Sequence, residues 1–329
     1  MTCAPPPASR VTVLMPVFND WKSASRLVEE LGRISRERVL GLSALLVDDG
    51  STEQPTESDL ETIQRSGLDV TVLPLKLNLG HQRALGVGIC FACQNIAGES
   101  LVVMDCDGED DPEDVPRLID AARASGGSCV VFAERRRRVE SAIFKVGYYG
   151  YRLLHRLLTG VSVRFGNFSV IPRTLLERIA MNPGLWNHYS ASVVFSRIPV
   201  LSIPTRRARR YAGSSKMNLV SLVTHGLSAI SVFGERVVTR LLVMLAICVG
   251  VAVAGLLAVL AIRVGTDLAT PGWATSATGL IALLLMQLLV LAGVSVLALL
   301  RERHSAPTIP LRDFPILVKD CARYPAGRP

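Results

Sequence analysis

Four apolar residues, Leu101 to Met104, run directly into Asp105-Cys106-Asp107, with Glu109, Asp110 and Asp111 close behind. A short buried strand that ends in alternating carboxylates aims them at one point, because side chains two apart on an extended segment share a face. Asp105 and Asp107 can then both approach a hard divalent cation of the kind a diphosphate also ligates. Taken alone, the same residues read as a solvated acidic loop, since short Asp-x-Asp matches arise by chance. A second acidic strand end, Asp48-Asp49-Gly50-Ser51, follows the apolar run Ala44 to Val47; alone it reads equally as an ordinary turn with Asx hydrogen bonding.

Basic residues form the complementary set. Arg135 to Arg138 follow the expected strand Cys129 to Ala133, and Arg206, Arg207, Arg209, Arg210 and Lys216 surround Gly213-Ser214-Ser215. Arginine forks take phosphate oxygens bidentately, and Gly beside two Ser lets the backbone come close. The competing reading is general attraction to anionic lipid heads, worth about 1 kcal/mol per residue near the surface. Both uses are expected, with Arg135, Arg210 and Lys216 at a site and the others at a membrane.

The elements that must position these groups alternate along the chain. Val11 to Met15 is an expected strand, followed by a turn at Pro16 to Asp20 and a helix from Ser23 to Arg36. Ala44 to Val47 and Asp69 to Leu73 are further strands, and a helix after Gly80 runs through Ala92 before the Leu101 strand. Such alternation gives an α/β fold with a mostly parallel sheet, whose ligands bind beyond the carboxyl ends of the strands. Pro16 to Asp20, Asp48 to Ser51 and Asp105 to Asp107 all fall at such ends, so one crevice can collect them. Asp110 and Asp111 read as solvent-facing residues at the start of the next helix, favourable near its positive end.

The chain has 329 residues and a formal net charge of +8, which suits one globular domain joined to a strongly apolar part. Residues 1–9 read as a disordered Pro-rich leader without the basic segment and apolar core of a signal peptide, and residues 10–217 as the globular domain. A juxtamembrane amphipathic helix is expected at 218–240, then transmembrane helices at 241–262 and 274–300 joined by an external loop at 263–273. Neither span holds a charged residue, and each is long enough for a hydrocarbon core of about 30 Å. Arg236 and Arg240 precede the first span and Arg301, Arg303, Arg312 and Lys319 follow the second, so the positive-inside bias places both termini and the tail 301–329 in the cytoplasm. Ser141 to Leu158 is a second basic amphipathic stretch, either interfacial or internally packed. Cys90 and Cys93 form a CxxC in a helical stretch without a second pair, and read as buried thiols.

The segments VLMPVFND, LLVDDGST, LNLGHQRAL and MDCDGEDDPE, in this order and spacing, resemble the GT-A domain of inverting family 2 glycosyltransferases. RRYAGSSKM is similar to the R-x-x-G-x-S-K segment of the branch that glycosylates polyprenyl phosphates. The resemblance covers about the first 220 residues. It implies that Pro16, Phe18 and Asp20 hold the nucleotide base and ribose, and that Val47 and Asp49 complete that pocket. Asn78, Gly80, His81 and Gln82 are implied as support for the sugar-diphosphate, with His81 by itself more readily a capping or packing histidine. Asp105 and Asp107 match the family's metal ligands, Glu109 stands where Gln is usual, and the ion implied is Mg2+ or Mn2+. The implied partners are a nucleotide-sugar donor, a polyprenyl phosphate and membrane lipids, with no nucleic acid and with self-association left open. The family's F-R-L-x-x-R stretch departs here to Asn167-Phe168-Ser169-Val170-Ile171-Pro172-Arg173, where Arg164 or Arg173 would have to replace the phosphate-binding arginine lost at Ser169. A different lipid or glycan acceptor, and a noncatalytic nucleotide-sugar sensor or membrane scaffold, are the competing functions.

The charge pattern is testable by labelling. A Thr270→Cys variant is expected to react with an impermeant thiol reagent on intact cells and a Ser305→Cys variant is not; the reverse pattern would discard the expected orientation.

Overall fold

The computed structural model describes residues 11–135, 153–161, 165–206, 208–211, 219–266, 271–304 and 308–325. The leader, the arginines at 136–138, Arg164, Arg207, Lys216 with Gly213 to Ser215, and the first part of the Ser141 to Leu158 stretch lie outside these residues.

Strand β1 (Val11–Val17) is buried along its whole length. It lies between β2 (Leu42–Asp48) and β4 (Ser100–Val103), parallel to both. Both faces are covered, which is why the strand is a continuous apolar run. Val11, Val13, Met15 and Val17 pack with Leu27, Val28 and Leu31 of α1 (Trp21–Glu37) and with Leu118 and Ile119 of α4 (Val115–Ala124). Leu14 points the other way, against Ala84, Leu85 and Val87 of α3 (His81–Asn95). The period of two in the strands and of three to four in the helices thus builds a helix, sheet, helix sandwich.

Beyond β2 comes β3 (Asp69–Pro74), again parallel, reached through α2 (Glu57–Arg65). On the other side, β5 (Val130–Arg135) and β6 (Ser169–Pro172) run antiparallel to each other, β6 is antiparallel to β4, and β7 (Val200–Thr205) is parallel to β5. With β8 (Ala322–Tyr324) the sheet has, among the described residues, eight strands in the order β7-β5-β6-β4-β1-β2-β3-β8.

Two departures from the sequence reading bear on the site. The first strand continues past Met15 to Val17 and takes in Pro16. Leu14 accepts from Met104 N–H at 3.1 Å, so the backbone groups of alternate residues, including position 16, face the β4 side. The ladder with β4 ends at the pair Leu14 and Val103, so the donor that proline lacks would have had no strand partner there. The two strands part at that point and leave the opening in which the acidic loops gather.

The second concerns the segment after the long apolar helices. Residues 308–325 return to the β3 edge: Lys76 N–H donates to Leu317 and Lys319 N–H to Pro74, each at 2.9 Å, and β8 pairs antiparallel with β3. Phe314 enters the core on the α3 side beside Leu73 and Phe91. An exposed sheet edge is thereby covered.

Contacts divide the chain into two units, one containing the whole sheet and the other residues 149–161 with 233–307. In the second unit, helices Gly234–Gly265 and Trp273–His304 pack on each other, and both are long and apolar enough to cross a membrane. Each has 32 residues, about 48 Å of helix, so each exceeds the hydrocarbon thickness. A separate helix, Leu219–Ser231, stops short of Gly234, so the chain breaks within the expected 218–240 helix. Residues 153–159 are helical, with Leu153, Leu154 and Leu157 exposed and Arg240 Nη1 donating to the Leu157 carbonyl at 2.8 Å.

Phe314→Ala removes a side chain that is 3% exposed, at a cost of about 3 to 5 kcal/mol. The protein in detergent is expected to melt at lower temperature and to be cut first by protease within residues 308–325. An unchanged melt and cleavage pattern would mean that this segment is no part of the core.

Candidate active site

At the end of β4 the chain turns through the acidic loop. Asp110 is 2% exposed, and its Oδ2 accepts Asp105 N–H at 3.1 Å. It is therefore not the solvent-facing residue expected from the sequence but the internal brace of the loop. Asp111 does start the next element, its side chain accepting Glu113 N–H at 3.0 Å ahead of the turn Pro112–Asp114. The Asp105 side chain is 29% exposed and that of Asp107 13%. Asp107 Oδ1 accepts Glu109 N–H at 2.9 Å across Gly108, whose φ of +82° lies in the left-handed region that favours glycine.

The loop is met from two sides. His81 Nε2, at the start of α3, lies 3.2 Å from Asp105 Oδ1 and 3.0 Å from the Asn167 side-chain nitrogen. Arg210 Nη2 donates to Asp107 Oδ2 at 2.6 Å. The backbone follows suit, with Tyr211 N–H on the Asp107 carbonyl at 3.0 Å and Ala208 N–H on the Glu109 carbonyl at 3.1 Å. Burial pushes the Asp107 carboxyl above its ordinary range, and the charges of Asp105 and Glu109 add to this. Partial desolvation works against a charged His81, but Asp105, Asp49 and Asp107 outweigh it and hold its pKa up. The site is thus an excess of negative charge that attracts cations.

Its donors are hard carboxylate oxygens, which fit Mg2+ or Mn2+ rather than a softer metal. Among the described residues, no group of three or more His, Cys, Asp or Glu is gathered as a metal centre. Asp105, Asp107 and Glu109 are near neighbours on one loop rather than a preformed cluster.

The neighbouring strand end has its own brace. Asp49 is 3% exposed, its Oδ1 accepting Leu79 N–H at 2.7 Å and its Oδ2 accepting Gly80 N–H at 3.0 Å. Burial raises its pKa, and the two N–H bonds oppose that. Gly50 has a φ of +68°, and a Cβ there would stand 2.7 Å from Asn78 N, so the two loops touch through a glycine. Asn19, unmarked in the sequence reading, joins this loop to the end of β1. Its N–H donates to Ser51 Oγ at 2.9 Å, and its Oδ1 accepts Thr52 N–H at 2.9 Å and Glu53 N–H at 3.1 Å. Phe18 beside it, just past the end of β1, is 42% exposed, whereas Val47 and Pro16 are buried in the sheet and act on the crevice only through its walls. Asp20 stands at the start of α1, and Asn78 Oδ1 accepts Gly80 N–H at 3.1 Å.

On the far side, Gln82 accepts Tyr189 N–H at 2.8 Å and donates to Asn167 at 3.3 Å, so Gln82 holds the wall in place. Ser169 is fully buried and shares a 2.7 Å hydrogen bond with Tyr189 Oη. Arg173 does not stand in for the arginine lost there. Its guanidinium donates to the carbonyls of Cys93 at 2.8 Å and Ala92 at 3.2 Å, capping the end of α3. Cys93 is 12 residues along the helix from His81, about 18 Å away, at the opposite end of the sheet. Arg135 is the last residue of β5, paired in register with Thr205. Cys90 and Cys93 are free, as expected, and burial raises both thiols.

Three residues of this site were not anticipated: Asn19, Asp110 and Asn167. An Asn two residues after a buried strand, able to take the left-handed φ of 50° seen at Asn19, is the one local signal that was readable.

The family described as Glycosyl transferase family 2 matches residues 12–180 of this chain. An undecaprenyl-phosphate 4-deoxy-4-formamido-L-arabinose transferase of Edwardsiella ictaluri is 29% identical over 250 residues, covering 69% of this chain and 72% of that protein. The transferase of the same name from Klebsiella pneumoniae is 26% identical over 227 residues, covering 66% of this chain and 65% of the relative, just under two thirds of its length. Among solved structures, glucosyl-3-phosphoglycerate synthase of Mycobacterium tuberculosis, in complex with Mn2+, UDP-glucose and phosphoglyceric acid, superposes with a TM-score of 0.50 at 16% identity. That match covers 69% of this chain and 79% of the other, and it is a likeness of fold.

Asp49→Ala would leave the part-buried Leu79 N–H unpaired, at a cost of about 1 to 3 kcal/mol, and would leave Gly80 N–H to Asn78 Oδ1 alone. Amide exchange at Leu79 and Gly80 is expected to accelerate and the melting temperature to fall. Wild-type exchange at both would mean that Asp49 does not brace this loop.

Proposed function

Because the chain belongs to glycosyl transferase family 2 and is a GT-A glycosyltransferase, we propose that it moves one sugar from a UDP- or GDP-sugar to a polyprenyl phosphate at the cytoplasmic face of a membrane. The observation that carries this reading is the 2.6 Å pair of Arg210 and Asp107. It sets the arginine-rich segment that leads to the apolar helices directly against the acidic loop. A site for a donor diphosphate and a site for an acceptor phosphate are then side by side.

In this reading a divalent ion held by Asp105 and Asp107, with Glu109 in reach, supplies positive charge to the leaving diphosphate. Phe18 gives the base an apolar face, and Asp49 holds the loop Asn78 to Gly80 beneath the donor. Arg210, with Arg135 and Lys216, grips the acceptor phosphate. Such a monoester has a second pKa near ~6 and is largely dianionic at neutral pH, so its oxygen attacks the anomeric carbon without a strong general base. The new bond forms from phosphate oxygen to sugar carbon as the bond from that carbon to the diphosphate breaks, inverting the centre and releasing nucleoside diphosphate.

The topology supports the membrane placement. The strand before the first apolar helix and the strand after the second lie in one sheet, β7 and β8. Two spanning helices between them must cross and return, which agrees with the basic flanks and a cytoplasmic domain. One observation favours a second reading, in which the acceptor is another lipid or a glycan: with Ser169 buried and Arg173 at the other end of the sheet, the acceptor side has lost a cation.

Purified protein incubated with radiolabelled UDP- and GDP-sugars, Mn2+ and undecaprenyl phosphate is expected to transfer label to the lipid. EDTA should stop the transfer, and Asp107→Ala should reduce it by at least about two orders of magnitude. Label passing only to other acceptors would move the assignment to the second reading, and full activity in excess EDTA or in Asp107→Ala would remove the metal from it.

A further inference from the structure

The segment Ala208 to Tyr211 is stapled to the acidic loop by its backbone, but what fixes the staple lies on α1. Tyr211 Oη donates to Glu30 Oε2 at 2.6 Å. The Arg26 guanidinium lies over the Tyr211 ring, 4.5 Å from its centroid, and reaches Glu30 Oε1 at 3.4 Å. The ring also covers Gly108: a Cβ at that position would fall 2.5 Å from two ring carbons. Glu30 is nine residues into α1 from Trp21, about 14 Å along the helix from the end that faces the crevice.

We propose that Tyr211 is a positioning residue for the transfer, clamped between α1 and Gly108 so that Asp107 on the donor side and Arg210 on the acceptor side keep one register. The inference rests on the functional reading above, in which those two residues serve the two substrates. Arg210 and Tyr211 are consecutive, and Tyr211 N–H holds the Asp107 carbonyl, so whatever fixes the ring fixes both charged groups. The hydroxyl sets the ring against α1, and the ring face keeps the Gly108 turn closed. Arg26 and Glu30 are thereby drawn into the work of the site, although they belong to the outer face of a helix.

The test uses the full chain in detergent and the variants Tyr211→Ala, Tyr211→Phe, Glu30→Ala and the double variant Tyr211→Phe with Glu30→Ala. Hydrogen exchange is read at residues 107–109 and 208–211 without ligand. Mn2+ affinity is read by paramagnetic resonance beside UDP and beside GDP, and the acceptor KM from initial rates. Tyr211→Ala is expected to speed exchange in both segments, to weaken Mn2+ binding by about tenfold and to raise the acceptor KM by a similar factor. Tyr211→Phe and Glu30→Ala are each expected to shift Mn2+ binding by about threefold, and the double variant by no more than either alone. Full additivity in the double variant, or a Tyr211→Ala protein that melts lower while exchange, Mn2+ affinity and acceptor KM stay as in wild type, overturns the proposal. Wild-type protein that binds no Mn2+ beside either nucleotide overturns the functional reading alone, and the exchange pattern still decides the clamp.

Discussion

Carboxylates crowded at the ends of parallel strands must each find a donor or a positive charge, because an unpaired buried charge costs far more than any single contact returns. Asp49 takes the N–H groups of Leu79 and Gly80, Asp110 takes that of Asp105, and Asp107 takes Glu109 N–H together with Arg210. The bonds of Asp49 and of Arg210 tie one segment to another, and those of Asp110 and Glu109 brace the acidic loop from within. The path from β3 into α3, the acidic loop and the segment before the apolar helices are thereby fastened around one opening. That opening exists because β4 stops pairing with β1 at Val103.

The same requirement separates the residues that hold the site from those that face it. Asp49 and Asp110 are almost wholly buried and are occupied with backbone N–H groups, so their contribution is to loop geometry. Asp105, Asp107 and Phe18 keep part of their surface open. A cation that joins this set meets a carboxylate whose proton affinity has been raised by burial and by its acidic neighbours. Such a group gains more from positive charge than a solvated aspartate does.

Away from the crevice, the sheet is finished by the chain's own tail. Strand β8 and Phe314 cover the β3 edge and the α3 side of the core, so the segment after the apolar helices contributes to the domain that precedes them. This closure makes the stability of the sheet domain depend on a segment that follows the two apolar helices.

The sequence by itself determined the alternating elements, the acid-terminated strands and the two apolar helices. Each is a property of neighbours: the runs at Val11, Ala44 and Leu101 are short and nearly continuously apolar, α1 repeats with the period of a helix, and an uncharged stretch of more than twenty residues declares itself. That Phe18, Asp105 and Asp107 stand at strand ends was legible for the same reason, since the apolar runs end just before them. The family resemblance extended that to Asn78, Gly80 and Gln82. Only the tertiary structure decided which groups meet. Arg210 reaches Asp107 across 103 positions and Tyr211 reaches Glu30 across 181, and nothing local marks either pairing. Asp110 looked like a surface acid because its partner is a backbone N–H with no side-chain signature. Arg173 looked able to replace Ser169, four residues earlier, but it follows the end of β6 and turns to the carbonyl end of α3. Hydrogen-bond partners are set by which strand ends and helix ends packing brings together, and that is a property of the folded chain rather than of any window along it.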